Sequence, residues 1–266
     1  MLFFRKKTPY EKEMAAVLRK ERRFLESREN RKESFVNRKL AEVVPAKLQG
    51  TLDSAFAKAF GMIFEKGTKV IEKTYSRKNL EIDFYENQYM NAVLENKKTL
   101  RAFSKKAKGA GTKNLLLSGT AGVGMGILGI GIPDIPVFTA LLLKSVYEIA
   151  LDYGFDYDSE KERAFILWVI ETAVSCGEKT AETKGKIEKF IKTGELPEDY
   201  NREEAIKSAA ATLSKELLYM KFVQGIPIIG AVGGFYDAVY MKRINEFANI
   251  KYRKRMLLKM KRGAEK

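Results

Sequence analysis

Histidine is absent from the 266 residues. That removes imidazole triads, histidine metal sites and the usual proton shuttle near neutral pH. Cysteine occurs once, as Cys176, which excludes disulfide frameworks, zinc ribbons and CxxC redox pairs. No residue can activate Cys176 as an imidazole would, and it is expected to be a small core residue. Proline is scarce, with six in all, and no segment alternates with the period of a strand. No GK[ST] follows any glycine run, so a P-loop is lacking. The apolar run Met1-Leu2-Phe3-Phe4 is too short, ahead of Arg5-Lys6-Lys7, for a secretory leader. A cytoplasmic chain is expected.

What is present is an excess of positive charge on a globular composition. The chain is 45% hydrophobic and 31% charged, and 49 Lys and Arg against 34 Asp and Glu give +15. The excess is segregated. Residues 1–50 hold 14 basic and 7 acidic side chains, residues 95–113 hold 7 and 1, and residues 242–266 hold 10 and 2. The remainder is mildly acidic. Three basic segments on a near-neutral body suggest a polyanionic partner, either anionic lipid or nucleic acid. Solvated helix faces would give the same pattern.

Helical spacing dominates. Residues 10–44 form a charged helix that Pro45 ends. Leu48, Leu52, Phe56, Ala59, Phe60, Ile63 and Phe64 make a continuous apolar stripe. Residues 79–106 are a weaker helix, with Tyr85, Met90, Val93, Leu94, Leu100 and Phe103 as its apolar positions. Ser159 and Glu162 fit a capping box ahead of Phe165-Ile166-Leu167-Trp168. Residues 201–223 form another helix, and a last one runs from about Gly230 into the basic tail. The expected fold class is all-α, a multi-helix bundle.

Two glycine- and proline-broken apolar segments interrupt it. Twenty uncharged residues run from Asn114 to Pro133, six of them glycine. In a helix they would span roughly 30 Å, about a bilayer's hydrocarbon core. Gly122 and Gly126 form a GxxxG pair, followed by Gly129, then Pro133, Asp134 and Pro136. Gly230 and Gly234 repeat the pair near the C-terminus, after Gly225-Ile226-Pro227 has echoed Gly131-Ile132-Pro133. Glycine pairs of this kind let backbones approach closely, in a buried helix pair or in a re-entrant membrane hairpin. Gly124-Met125-Gly126-Ile127-Leu128-Gly129 spells GxGxxG, yet it lacks the strand before it and the full helix after it that a dinucleotide site needs.

Asp134 is the one charge between Lys113 and Lys144. A helix N-cap, with Pro136 in the first turn, accounts for it, and a functional carboxylate is the alternative. Asp237 has a comparable position after the second glycine segment. Asp152, Asp156, Asp158 and Glu160 suggest a calcium loop, but counting from Asp156 puts Lys161 and Leu167 where Gly and Glu are required. No metal, cofactor or catalytic residue is expected.

The run Gly131-Ile132-Pro133-Asp134-Ile135-Pro136, the helix ending Tyr147-Glu148-Ile149-Ala150, and Tyr153-Gly154-Phe155-Asp156 ahead of Phe165-Ile166-Leu167 resemble the EcsC protein family. Ile226-Pro227-Ile228-Ile229-Gly230 to Gly234 fits that family's second glycine motif. The resemblance covers about residues 45–255. It implies a bacterial protein in a membrane context, since the founding member is encoded beside an ABC transporter linked to secretion. It supplies no reaction.

The resulting expectation has three parts: a charged N-terminal helical extension (1–44), an EcsC-like helical domain (45–255) and a basic tail (256–266). The chain is expected to be non-enzymatic and peripheral to the inner membrane, with anionic lipid as partner and transporter membrane subunits as a second contact. Lys97, Lys98, Arg101, Lys105, Lys106, Lys108, Lys113, Arg253, Lys254 and Arg255 are the residues expected at the anionic surface. A soluble lipid or small-molecule carrier is one alternative. A nucleic-acid binder is another, though no zinc finger, helix-turn-helix spacing or aromatic RNA motif supports it.

Overall fold

In the computed structural model, residues 6–30, 45–109, 134–223 and 234–264 are described, without the side chains of residues 134, 219–223, 234–238 and 264. The described chain is all helix and turn. Its elements are α1 (Pro9–Glu29), α2 (Ala46–Met62), α3 (Thr68–Glu72), α4 (Arg77–Leu94), α5 (residues 97–109), α6 (Asp134–Asp152), α7 (Glu160–Val174), α8 (Glu178–Thr193), α9 (Arg202–Val223) and α10 (Gly234–Ala264). A π-helical turn, Ile63–Gly67, joins α2 to α3. No strand occurs among these residues, so the all-α class holds.

Caps set several helix starts. The Thr8 hydroxyl accepts from the Glu11 N–H at 3.1 Å, and the Glu11 carboxylate accepts from the Thr8 N–H at 2.8 Å. The Ser76 and Ser159 hydroxyls cap α4 and α7 by accepting from the N–H groups of Asn79 and Glu162, without the reciprocal bond. Asn96 starts α5 by accepting from the N–H groups of Lys98 and Thr99. The single helix expected over 79–106 is therefore two. Glu95, at φ 40°, turns the chain into the left-handed region between them.

The core forms around α7, which is apolar on all sides and buried from Ala164 to Val174. Helices α8, α9 and α10 pack on it, while α6 lies against α2, α4 and α10. Phe56, Ala59, Phe60, Ile63 and Phe64 of the expected α2 stripe are buried. Cys176 is partly exposed in the turn after α7 and is not a core residue.

The boundaries expected at 45 and 256 need correction. Helix α1 packs against α8 and α10, and Val17 and Leu25 belong to the main core. At the other end, Met256 and Leu257 are buried within α10, which continues to Ala264. Neither end of the described chain forms a separate region. The signal for α1 lay in a mixed stripe: Glu13, Val17, Glu21, Leu25 and Arg28 recur every three or four residues, and all are buried. A search for apolar periodicity alone passes over it.

Candidate functional site

Charge on α10 is drawn inward. The Lys251 ammonium has no exposed surface and holds both Glu21 and Glu188, the latter at 2.6 Å. Lys254 bonds to the same two carboxylates, at 3.0 and 2.8 Å. Burial raises the Glu188 pKa, but the charges of Lys251 and Lys254 outweigh it and pull the carboxyl down to about 2. Arg253 pairs with buried Glu13. Arg255 makes a two-pronged bond to Glu162, 2.8 Å on one side, and lies against the Phe155 and Phe165 rings at 4.1 and 4.2 Å. Arg253, Lys254 and Arg255 are thus neutralised inside the fold and are withdrawn from the expected anionic-surface set. Glu162 is likewise no reciprocal capping side chain, because Arg255 and Tyr252 hold it.

The cluster on α5 is different. Lys97, Lys98, Arg101, Lys105, Lys106 and Lys108 are all exposed. Arg101 reaches Glu13 at 3.0 Å and Lys106 reaches Asp83 at 2.6 Å, which ties the helix to α1 and α4. Lys113, Gly122, Gly126, Gly129, Pro133 and Gly230 lie outside the described residues. Gly234 and Asp237 fall in the first turn of α10, and Asp134 is the first residue of α6, with only the backbone described. Pro136 is exposed in the first turn of α6, a position proline tolerates.

The sequence reading missed a feature on α4. Its apolar positions Tyr85, Met90, Val93 and Leu94 face outward. Tyr85 and Tyr89 are 65% and 70% exposed, and Ile82, Met90, Val93 and Leu94 are exposed beside them. Spacings of three, four and four residues place Ile82, Tyr85, Tyr89 and Val93 along one ridge. The inward side of α4 is narrow and rests on Phe84. The Phe84 ring lies where a Cβ on Gly154 would stand, 2.2 Å from that position, and Gly154 has φ +75°. Glycine is therefore required there by both space and backbone conformation.

The acidic loop after α6 anchors the same helix. Arg77, at the start of α4, binds Asp158 at 2.7 Å, Asp156 at 3.1 Å, Glu72 at 3.0 Å and Glu81 at 2.9 Å. The Tyr157 hydroxyl donates to Glu72 at 2.6 Å, and its ring stacks on Tyr147 with centroids 4.1 Å apart. The aspartates that suggest a calcium loop thus serve as an arginine clamp. Among the described residues no group of acidic or cysteine side chains is arranged to hold a metal.

Asp152 ends α6 with both carboxylate oxygens buried and without a hydrogen-bond partner. Burial, and then the charge of Glu148, push its pKa up to about 7.

A family model, the EcsC protein family, matches residues 10–257. The chain belongs to the EcsC protein family. The match begins inside α1 and ends in α10, in keeping with the packing of both helices into one core. No curated protein and no solved structure matches the chain. No helix among the described residues is long and apolar enough to cross a membrane.

Proposed function

We propose that the protein is a non-enzymatic, peripheral membrane protein that docks on the anionic cytoplasmic leaflet through α4 and α5, there serving as an accessory to a transporter. The carrying observation is the exposed apolar ridge of α4 running directly into the exposed lysines of α5. Leu94 and Lys97 are separated by no more than about 11 Å of chain. Tyrosines with an apolar body and a polar tip suit the headgroup boundary, and a contiguous exposed apolar patch marks an interaction surface. Neighbouring lysines each add about 1 kcal/mol at an anionic surface. The combination suits a charged bilayer better than neutral lipid or solvent.

Co-sedimentation with phosphatidylglycerol-containing vesicles and with pure phosphatidylcholine vesicles tests this reading. Binding is expected to the first only, and to weaken with salt. A Tyr85→Ser, Tyr89→Ser, Val93→Ser triple variant is expected to stay soluble and folded and to lose the vesicles. Equal binding to both vesicle types, or no effect of the triple variant, overturns it.

A further inference from the structure

Between α1, α5 and α10 lies a cleft of about 450 Å³. Lys20, Lys108, Lys242 and Arg253 line it, with Glu246 as the one carboxylate among its lining residues. Val17 and Ile250 give it an apolar wall, and Tyr153 lies at its inner side. A second cleft adjoins it, sharing Lys20, Lys242 and Glu246 and adding Arg23 and Arg243. Two guanidinium nitrogens behind the groove wall are buried without a hydrogen-bond partner, Nε of Arg253 and Nη1 of Arg243, and neither has surface open to the groove. Buried donors are ordinarily satisfied, so the wall behind the lysines is short of acceptors.

The charges point the same way. Arg253 already has Glu13 as its counterion, and Arg243 lies over the Tyr240 ring at 5.0 Å. The three lysines of the first cleft still outnumber Glu246 by two charges. Burial, with Lys108 and Arg253 close by, pushes the Lys20 pKa below its ordinary value. A dianion in the groove would relieve this crowding. A phosphomonoester carries about −1.5 to −2 charges at neutral pH and offers three acceptor oxygens. A carboxylate offers one charge and two. The volume, about that of small-molecule sites in general, leaves room for an organic body against Val17 and Ile250.

We infer that the groove between α1, α5 and α10 is a binding site for the phosphomonoester group of a small organic phosphate, held by Lys20, Lys108 and Lys242. The site is distinct from the α4 ridge and stands without it. The phosphate has two possible sources, a soluble metabolite or a lipid headgroup, with the same group reaching the same lysines.

Calorimetric titration of the full chain tests the site, in about 0.15 M salt so that diffuse attraction is screened. The two probes are phenyl phosphate and dihexanoyl phosphatidic acid below its micelle concentration. Saturable one-site binding of at least one probe is expected, weakened about tenfold or more, 1.4 kcal/mol, in a Lys20→Gln, Lys242→Gln variant. Both lysines are exposed, so this variant is expected to keep its unfolding midpoint. A Lys58→Gln, Lys69→Gln variant, changed at exposed positions of α2 and α3, is expected to titrate as the unchanged protein does. Binding of phenyl phosphate identifies a soluble phosphate as sufficient, whereas binding of the phosphatidate alone assigns the site to a headgroup. No saturable binding of either probe, or equal affinity in the Lys20/Lys242 variant, overturns the inference. The α4 triple variant separates the two readings, because losing its vesicles must leave these titrations unchanged.

Discussion

Arg28 caps a helix 147 residues away: its Nε donates to the Ser175 carbonyl oxygen at 2.9 Å, and its Nη2 donates to that of Val174 at 2.7 Å. These are carbonyl groups at the free C-terminal end of α7, where a cation is also favoured by the helix dipole. The return contact runs from the Gly177 N–H to the Arg28 carbonyl oxygen at 3.1 Å. Buried Glu216 lies 3.8 Å from the same guanidinium. Helix α1 therefore completes the central helix of the core. Arg28→Met is expected to destabilise the fold by about 3–5 kcal/mol, because it strips a buried charge network of one member. Arg28→Lys keeps the charge but loses the fork, and should fall between the two. Urea unfolding midpoints give both values, and an unchanged midpoint for Arg28→Met would show that α1 is dispensable.

Gly154 and Phe84 should behave as a pair. A methyl group at residue 154 meets the Phe84 ring at less than contact distance and also demands a backbone conformation that alanine disfavours. Overpacking and the positive φ together predict a loss of about 2–4 kcal/mol for Gly154→Ala. Phe84→Leu should recover part of the steric share and none of the backbone share. A double-mutant cycle read by thermal unfolding measures the division, and strict additivity would contradict the contact.

The difference between what the sequence makes legible and what it hides follows from range. The cap at Ser159 and the stripe from Phe56 to Phe64 act within a few residues, so pattern alone locates them. The 201–223 helix is legible for the same reason. Partnerships across ninety residues or more are not. Arg253, Lys254 and Arg255 form a basic run in the sequence, and only the distant acids Glu13, Glu21 and Glu162 turn it inward. On α4 the error has the opposite sign. Apolar spacing identifies a ridge correctly but cannot say whether a partner helix covers it, and Tyr85 and Tyr89 remain in solvent. The expected helix 79–106 hides its break because Glu95 is rarely left-handed. The glycine segments, Asp134 and Asp237 fall where the side-chain structure is not described.

Asp152 predicts a pH dependence. Its carboxyl has a pKa of about 7 in the fold against 3.8 for the ordinary group. Between these values the folded chain keeps a proton that the unfolded chain has released, so stability falls as pH rises from about 4 to about 7 and then levels. Asp152→Asn removes the buried charge with little change of shape. The variant should match the parent near pH 4 and exceed it at neutral pH, by up to about 4 kcal/mol. Denaturant midpoints measured at both pH values check the sign. A variant that loses stability equally at each would instead place a compensating cation beside the carboxylate.

The lysines of α5 should differ from those of α10 in how they respond to neutralisation. Lys97, Lys98 and Lys105 are exposed, and changing each to Gln should leave stability within about 0.5 kcal/mol while weakening vesicle binding by roughly fivefold apiece. Lys106 should show a smaller effect on the vesicles, since Asp83 already partners it. Lys251→Gln should do the reverse. It has no surface to present, and its loss leaves Glu21 and Glu188 crowded together, so the cost is expected in folding, at about 3 kcal/mol or more. Vesicle co-sedimentation and thermal unfolding, run on the same five variants, separate a docking charge from a structural one. A Lys251→Gln protein that folds normally but leaves the membrane would reverse the assignment of α5 as the docking helix and move it to α10.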